Sequence, residues 1–499
     1  MNARSVRIAA LMLAALPLLF GFAAQRDEIP ITTSSSEARA MVQKAIGQME
    51  ALRFTDAVDN LKKAVDLDHD CAFGYYCLAV CATTPTEART QIDKALALVG
   101  KVSDGEGMLI RSFEDQINGD QAGATATLKK LVAMYPKDKR AHFNYAGALY
   151  GMQQWPEAIN ELNAAIDIDH TYAPAFNLLG YAEIRANNLP KAEKALKDYV
   201  TLIPSEPNPH DSYAELLLKE GKYDESIASY QRALKLDPNF HSSVIGIANA
   251  YVFKGMPGEA RKQLQGLYDN ADDPGWKITA LDEIASTYVS EGRFDQALEQ
   301  LNKAHDLAVS LKDPMLIAEQ LNHIGTTVLE SSSFDATRGT YLKTKTPETA
   351  KVDQAATYFD DANRAVASSD LPRDVKTRTD AFTLVNKVEV ALTKNDIPAA
   401  KSLSTQFDEA AKNDKDMDIQ RYQHQIRGMI AMSEKRFPDA ISELQQANLR
   451  NPLNLYRLSE AYEAAGNGAK AKELRSQIWS FNEDSFNLAF VRPLARPTE

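Results

Sequence analysis

Apolar and polar positions follow one another along this chain with the period of amphipathic helices, and the helices come in short pairs. In residues 173–206, APAFNLLGYAEIRANNLPKAEKALKDYVTLIPSE, a first apolar stripe covers 176–180 and a second covers 189–199. Two asparagines at 187–188 separate the stripes, and Pro204 follows the second one. Because proline lacks the backbone N–H that a helix interior needs, it marks the end of the pair. The segment predicts two antiparallel helices joined by a tight turn.

The helix pair recurs at a fixed period. The stretch KYDESIASYQRALKLDPN at residues 222–239 resembles three others, which begin at Gln154, Arg293 and Arg436. Steps of 34 residues lead back from Pro238 to Pro204 and, two steps further, to Pro136. A regular period of this length indicates an array in which each unit stacks on its neighbours.

Small residues occupy the positions where two helices must approach closely. In the first helix of successive units these residues are Ala146, Gly180, Ala214, Ala248, Ala285, Gly325 and Gly428. Glycines also fall in the turn between the two helices, where a left-handed backbone costs glycine little. The turn glycines are Gly119, Gly221, Gly255, Gly292 and Gly466.

This pattern resembles the tetratricopeptide repeat, a helix pair of about 34 residues with apolar, small and aromatic residues at set positions. The unit at 207–240 shows it most fully, through Tyr213, Ala214, Gly221, Tyr223, Tyr230, Ala233 and Pro238. Ser226 replaces the alanine that is usual there. The resemblance implies an all-α fold, an α-solenoid that forms a right-handed superhelix of about twelve helix pairs. It also implies that the first helices line a concave groove.

The repeat divides the chain into segments. We expect a flexible linker at 25–36, an N-terminal array at 37–313 and further units at 381–485. The unit at 314–380 is interrupted by a Ser/Thr-rich loop insert at 331–350, which delays its second helix by about eighteen residues. The tail at 486–499 is expected to pack across the last helices, with disorder after Pro493 as the alternative.

Residues 1–24 are expected to be a cleaved signal peptide. Two arginines within the first seven residues precede an uncharged apolar run at 8–24, and Gly-Phe-Ala at 21–23 offers small residues for cleavage. An uncleaved anchor is the alternative, since Pro17 breaks a run that is marginal for spanning a bilayer. No later stretch of the sequence is apolar over such a length. We therefore expect an exported protein, periplasmic or extracellular, in a bacterium.

The net charge limits the classes of partner, and the cysteine positions limit disulfide formation. The 499 residues carry a net charge of −12, which argues against nucleic acid or an anionic membrane as the main partner. Cys71, Cys77 and Cys81 are the only cysteines, and the last two lie four apart on a predicted helix, a poor geometry for a disulfide. We expect all three to be small core residues without a metal.

The sequence contains no motif that indicates catalysis. Phosphate-binding loops of the GxxxxGK type, HExxH, CxxC and GxSxG are all absent. Two acidic stretches, which begin at Asp66 and Asp414, start like calcium-binding loops but lack the required glycine and glutamate. Three of the scattered histidines, His142, His210 and His424, occupy positions where the repeat usually packs an aromatic residue. We expect a protein without enzymatic activity, cofactor or metal.

The inward face of the first helices is the expected partner-binding surface. Aromatic residues there suit peptide recognition, and the charges are basic at one end and acidic toward the other. The expected contact residues are Arg140, Phe143, Asn144, Tyr150, Asn177, Tyr181, Arg185, Asp211, Glu215, Asn249, Phe253, Asp282 and Glu283. An alternative is that these rings only cover neighbouring helices.

Three function classes remain in view, the third of which is an enzyme carried on a solenoid. The first is a non-catalytic scaffold or adaptor of the bacterial envelope that binds a protein or peptide partner in its groove. The second is a carbohydrate-binding component, or a part of a polysaccharide-export assembly, since aromatic rings also stack on sugars. For the first, an extended peptide with apolar side chains and a basic portion is the expected ligand, with Tyr150 and Tyr181 as its main contacts.

Overall fold

The computed structural model describes residues 27–496, apart from positions 52, 83, 336–339, 342–346, 372, 413, 415 and 484. Within this part the chain forms a tandem series of α-helices with one two-residue hairpin. The helices are α1 (Ser36–Glu50), α2 (Phe54–Leu67), α3 (Ala72–Val80), α4 (Pro85–Ala97), α5 (Asp104–Ile117), α6 (Gln121–Met134), α7 (Lys139–Gly151), α8 (Trp155–Ile168), α9 (Ala173–Arg185), α10 (Leu189–Leu202), α11 (Pro207–Lys219), α12 (Tyr223–Leu236), α13 (His241–Phe253), α14 (Pro257–Asn270), α15 (Pro274–Ser290), α16 (Phe294–Leu311), α17 (Pro314–Ser331), α18 (Thr349–Ala367), α19 (Arg373–Thr393), α20 (Ile397–Ala410), α21 (Met417–Ser433), α22 (Phe437–Leu444), α23 (Pro452–Ala464), α24 (Gly468–Trp479) and α25 (Phe486–Val491). Short 3-10 helices cover Val99–Lys101 and Pro493–Ala495, and strands β1 (Phe334–Asp335) and β2 (Thr340–Tyr341) pair antiparallel.

Helices α1 to α24 pack as twelve consecutive pairs, and each pair also contacts the next. The first helices α7, α9, α11 and α13 begin at residues 139, 173, 207 and 241, so these units repeat every 34 residues. The core is correspondingly spread along the array as a series of small clusters. The predicted all-α solenoid of about twelve helix pairs is confirmed.

The small residues of the first helices act as the sequence predicted. A Cβ atom added at Gly180 would lie 2.5 Å from Cγ of Leu196 on the partner helix. Equivalent contacts of 2.7 and 2.6 Å would arise at Gly325 with Phe359 and at Gly428 with Leu444. Because such distances are far below van der Waals contact, only glycine allows these helix pairs to approach as they do.

Among the described residues, the turns inside nine of the helix pairs contain a residue with a left-handed backbone. Gly119, Gly221, Gly255, Gly292 and Gly466 all have a φ between +69° and +83°. Asparagine takes this conformation more readily than other residues that carry a Cβ, and Asn187 and Asn395 occupy it in their turns with φ of 58° and 56°. The left-handed turn is therefore a property of the repeat. Glycine adopts this conformation at the lowest cost, but other residues can also occupy the position.

The packing residues singled out in the sequence are buried or hydrogen-bonded. Cys71, Cys77 and Cys81 are buried free thiols, and burial raises the pKa of Cys81 to about 11. Nδ1 of His142 lies 2.7 Å from a carboxylate oxygen of Glu161, which is on the partner helix. His424 and Glu443 repeat that contact at 2.7 Å, and Nε2 of His210 lies 3.0 Å from the carbonyl oxygen of Pro204. These residues serve the packing of the array.

Two predicted segments differ from the structure, and two others lie wholly or partly outside the described residues. Residues 27–35 are not a flexible linker, because the backbone N–H of Ile29 donates to Asp138 at 2.7 Å and that of Thr32 donates to Glu106 at 2.7 Å. The last three helix pairs begin with α19 at Arg373, which is eight residues before the predicted boundary at 381. The signal peptide at 1–24 and much of the insert, including Arg338, Lys343 and Lys345, lie outside the described residues.

The array bends far enough for its two halves to touch. Nη2 of Arg378 on α19 donates to the backbone carbonyl of Asn118, at the turn between α5 and α6, over 3.2 Å. A Cβ at Gly119 would lie 2.1 Å from the same nitrogen, so glycine at this turn also makes room for the contact. Among the described residues no helix is both long enough and apolar enough to cross a membrane.

Candidate functional site: the concave groove

The first helices of the N-terminal units line an apolar cavity of about 370 Å³, which we call the N-terminal cavity. Its walls come from α1, α3, α5, α7 and α9, so the inward faces of five consecutive units meet here. Its lining residues are Ile29, Ile46, Met49, Glu50, Phe54, Phe73, Tyr76, Cys77, Val80, Leu109, Arg140, Phe143, Asn144, Tyr172, Pro174, Asn177, Leu178, Tyr181 and Tyr199. Five of the thirteen predicted contact residues are among them: Arg140, Phe143, Asn144, Asn177 and Tyr181.

Aromatic rings form two opposing walls of the N-terminal cavity. On α3, Phe73 stacks on Tyr76 with ring centroids 5.2 Å apart. On the other side Phe143 meets the edge of Tyr172 at 5.6 Å, and the Lys139 ammonium lies 4.7 Å from the centre of the Tyr172 ring. Rings held by such contacts offer a rigid apolar surface, which loses little conformational entropy when a ligand binds.

Two of the polar groups in the lining, Glu50 and Asn177, could accept hydrogen bonds from a ligand. Burial raises the pKa of Glu50, although Lys139 and Arg140 partly oppose the shift. The side-chain oxygen of Asn177 is buried without a hydrogen-bond partner, while its nitrogen donates to Asn208 at 3.4 Å. A ligand in the N-terminal cavity could therefore donate hydrogen bonds to both groups.

The mouth of the cavity carries exposed apolar side chains. Phe54 at the start of α2 is 40% exposed, and Val80 at the end of α3 is 36% exposed. Large apolar side chains next to an apolar cavity are typical of a surface that contacts another molecule. Asp138 connects two parts of the lining. Its carboxylate accepts from the backbone N–H of Ile29 at 2.7 Å, and it also caps the start of α7.

Further along, the groove is occupied by the chain itself. Residues 480–496, which we call the C-terminal segment, follow α24 and run back into the groove. Its Glu483 accepts from Nη1 of Arg185 at 2.9 and 2.7 Å and from the Lys219 ammonium at 2.8 Å. Burial alone would raise the pKa of Glu483, but Lys219 and Arg185 overcome this effect and lower it.

Aromatic contacts hold the rest of the C-terminal segment. The guanidinium of Arg492 lies 4.3 Å from the centre of the Phe253 ring on α13. Phe486 stacks on His323 of α17 with centroids 4.5 Å apart, and α25 packs against both α15 and α23. The predicted cap over the last helices is thus one part of a longer contact, which also covers the middle of the groove.

Two of the predicted acidic groove residues, Asp211 and Glu215, are hydrogen-bonded to other residues of the protein. Asp211 is buried and accepts from the Ser243 hydroxyl, and burial raises its pKa to about 6. Glu215 accepts from the Tyr181 hydroxyl at 2.8 Å. Burial first, and the neighbouring Asp211 second, raise the pKa of Glu215 to about 7. Both carboxyls therefore already have partners within the protein, and their contact with a basic peptide stays a prediction.

The remaining predicted residues mostly support the C-terminal segment or one another. Tyr150 packs edge-on against Trp155 at 5.0 Å and accepts from Arg185 at 3.4 Å. Asp282 accepts from Gln320 at 2.9 Å and lies 3.5 Å from Nδ1 of His323. Asn249, Phe253 and Glu283 line a cavity of about 650 Å³ beside α25. Whether these residues contact an external partner stays a prediction.

Sequence reasoning missed two sets of groove residues. Glu50, Phe73 and Tyr76 lie in the first two units, and extending the inward-face register to those units would have found them. Glu483 and Arg492 could not be found in that way, because nothing in their local sequence shows which distant helix they contact. Within the described part of the chain no cluster of three acidic, histidine or cysteine side chains could hold a metal ion.

Comparison with known proteins agrees with this geometry. One tetratricopeptide-repeat family model matches residues 117–179, and a second, described as a TPR repeat, matches residues 214–255. The chain contains tetratricopeptide repeats. The first match runs from the end of α5 into α9 and includes Phe143 and Asn177, and the second runs from α11 past the end of α13. No curated protein matches the chain.

Several solved structures resemble the tetratricopeptide array. A tetratricopeptide repeat protein from Parabacteroides merdae is 14% identical, with a TM-score of 0.35 and coverage of 55% of this chain and 94% of that one. YrrB, described as a TPR protein with an unusual peptide-binding site, is 21% identical, with a TM-score of 0.27 and coverage of 38% and 96%. The Cut9–Hcn1 hetero-tetramer of the APC/C is 16% identical, with a TM-score of 0.40 and coverage of 90% and 77%.

Proposed function

We propose that this protein is an exported, non-catalytic scaffold that binds an apolar segment of a partner protein in the N-terminal cavity. One observation carries the proposal: an aromatic-lined cavity of about 370 Å³ has Phe54 and Val80 exposed at its mouth. Burying such side chains together with a ligand's apolar side chain contributes about 25 cal/mol for each Å² removed from water. The N-terminal cavity offers this gain, whereas in the middle of the groove the C-terminal segment already contacts Arg185, Lys219 and Phe253.

The polar groups of the N-terminal cavity restrict the chemistry of the ligand. Glu50 and the unpartnered oxygen of Asn177 both accept hydrogen bonds, so they favour a ligand with a donor next to its apolar anchor. A peptide backbone N–H, or a lysine beside a leucine or phenylalanine, meets that requirement. The proposed ligand is therefore a short peptide stretch with one large apolar side chain and an adjacent donor.

The binding test uses two matched substitutions in the full chain. Asn144 lines the cavity, and its side-chain nitrogen donates to the carbonyl of its own helix four residues earlier, at 2.7 Å. Asn163, exposed on α8, makes the same contact at 2.9 Å. Asn144→Trp fills the cavity, whereas Asn163→Trp adds the same ring to the outer surface.

Peptides selected by phage display on the wild-type chain should carry a large apolar anchor. We expect their affinity for Asn144→Trp to fall at least about tenfold, or about 1.4 kcal/mol, with little change for Asn163→Trp. Equal binding to both variants would place the site elsewhere. A glycan array run with the same three proteins tests the carbohydrate alternative, which would gain support if glycan binding alone were lost in Asn144→Trp.

The proposed export has its own test. It rests on the two arginines and the apolar run within residues 1–24. Expression of the full chain in a bacterium, followed by fractionation and N-terminal sequencing, should give a periplasmic or secreted protein that begins near residue 24. An intact N-terminus in the cytoplasmic fraction would contradict export.

A further inference from the structure

We propose that Glu50 selects the ligand of the N-terminal cavity by charge, and that the peptide bound there carries an arginine or lysine next to its large apolar anchor. This inference rests on the proposed function and narrows it, because a neutral hydrogen-bond donor would not meet the requirement. Glu50 is the last residue of α1 and lines the cavity together with Met49 and Phe54. The partner is then recognised by one apolar and one basic side chain that lie side by side.

Two charged residues, Glu50 and Arg140, line the N-terminal cavity. Nη2 of Arg140 lies 3.6 Å from Oδ2 of Asp138, and the neighbouring Lys139 ammonium lies 2.6 Å from Oδ2 of Asp169. Within the described part of the chain the Glu50 carboxylate makes no hydrogen bond and no ion pair. Since each nearby cation already faces a carboxylate, the lining offers a ligand one uncompensated negative charge.

The surroundings of Glu50 favour a cation over a neutral donor. Burial raises the pKa of Glu50, while Lys139 and Arg140 oppose this shift and Asp169 and Asp138 add to it. A poorly hydrated carboxylate gains more from an opposite charge than one on an open surface, and hydrogen bonds that involve charged groups are about twice as strong as neutral ones. The C-terminal end of a helix also carries a partial negative charge, so the end of α1 attracts a cation as well.

The test uses parallel phage-display selections on the wild-type chain, Glu50→Gln and Glu37→Gln. Glu50→Gln keeps the shape of the side chain and removes its charge, and Glu37 is the control because it is exposed in the first turn of the same helix. Selected peptides are then synthesised in two forms, with arginine or citrulline next to the apolar anchor. Citrulline has nearly the shape of arginine and keeps N–H donors, but it is neutral, so the two forms separate charge from hydrogen bonding.

We expect arginine or lysine beside the anchor in peptides selected on the wild type and on Glu37→Gln, but not on Glu50→Gln. The arginine form should bind the wild type and Glu37→Gln at least about tenfold more tightly than the citrulline form, and both forms should bind Glu50→Gln equally. An arginine preference that persists in Glu50→Gln would overturn the role of Glu50.

The outcomes also separate this inference from the proposed function. If both forms bind the wild type equally and both lose affinity for Asn144→Trp, the cavity binds peptides but does not select them by charge. Selection of no peptide at all would overturn the proposed function and this inference together.

Acidification gives a second readout on the unaltered protein. The charged groups that face Glu50 are Lys139, Arg140, Asp138 and Asp169. Because burial raises the pKa of Glu50, this carboxyl should gain its proton at a higher pH than an exposed glutamate, and the arginine preference should shrink there. A preference that stays unchanged down to about pH 4, where an ordinary glutamate is mostly protonated, would overturn the inference.

Discussion

One terminal nitrogen of Arg185 donates to both carboxylate oxygens of Glu483, at 2.9 and 2.7 Å, across 298 positions of sequence. The pair joins the fifth helix pair to the C-terminal segment inside the groove, and both side chains are mostly shielded from solvent. Lys219 adds a third contact to the same carboxylate. Since partly buried charges are screened less than surface charges, this cluster should be less sensitive to salt than the exposed ion pairs of the array.

The first prediction measures that tie. Arg185→Gln and Glu483→Gln, made singly and together, should show a coupling of about 1–3 kcal/mol in the free energy of opening of α25. The same cycle on the exposed pair Lys303 and Glu299 should give about 0.3–0.5 kcal/mol in the opening of their own helix α16. Hydrogen exchange provides the free energies, from the α25 amides for the first pair and from the α16 amides for the second. Equal coupling for the two pairs would mean that the segment does not rest on Arg185.

The second prediction concerns pH. Burial and the neighbouring Asp211 raise the pKa of Glu215 from its usual 4.5 to about 7, so the folded chain holds this proton more tightly than the unfolded chain. The free energy of unfolding should therefore fall as pH rises from about 4.5 to about 7. The cost of ionising the buried carboxyl is absent below this window and complete above it.

Glu215→Gln keeps the shape of the side chain and removes the titration. We expect the variant to lose part of the decline in thermal stability between pH 5 and pH 8, and to be more stable than the parent at pH 8. Glu225→Gln, on the exposed side of α12, should leave the pH profile unchanged. Parallel profiles for the parent and Glu215→Gln would show that this carboxyl is not responsible.

The third prediction compares two glycines inside first helices. A Cβ at Gly180 would lie 2.5 Å from Leu196, whereas one at Gly147 would meet nothing within 4 Å. Gly180→Ala should lower the free energy of unfolding by about 1–3 kcal/mol through overpacking. Gly147→Ala should raise it by about 0.5–1 kcal/mol, because alanine favours a helix interior.

The same substitution also tests which units of the array are destabilised. Each unit contacts mainly its neighbours, so Gly180→Ala should loosen units within residues 139–240 and leave the units of α19 to α22 protected from hydrogen exchange. Uniform loss of protection along the chain would contradict this independence of the units.

The fourth prediction concerns the contact between the two halves of the array. Arg378 donates to the carbonyl of Asn118 and lies 3.6 and 3.7 Å from carboxylate oxygens of Asp414 and Asp416. Arg378→Ala should raise the radius of gyration measured by small-angle scattering, because it removes a polar tie between α19 and the turn after α5. Arg364→Ala, an exposed arginine on α18, is the control. An unchanged radius would show that other contacts suffice.

The repeat fold was predictable from the sequence because its causes are local. Gly180 faces Leu196 only sixteen residues later, and the turn at Gly119 depends on the φ of one residue. Such short-range rules repeat at a constant period, so the twelve helix pairs and most of their turns follow from the pattern alone. The interrupted unit was also visible, because α17 and α18 keep their stripes on either side of the insert.

The groove was predictable only in part. Its direction follows from the repeat, and Phe143, Asn177 and Tyr181 do line the N-terminal cavity. The repeat does not show that the C-terminal segment occupies the groove. Small changes in the angle between successive units add up over the array and decide which distant surfaces meet. Asp211 illustrates the limit: this acidic residue on an inward face is buried and accepts a hydrogen bond from Ser243 of the next unit, which its charge alone does not indicate.

The sequence by itself therefore determined the helices, their pairing and the inward face, since each depends on residues within about one repeat of one another. Only the tertiary structure decided that Glu483 returns to Arg185, that Arg378 reaches Asn118 and that the first five units enclose the N-terminal cavity. The physical reason is that these contacts depend on the accumulated curvature of the whole superhelix, which no local pattern of hydrophobic and polar residues records.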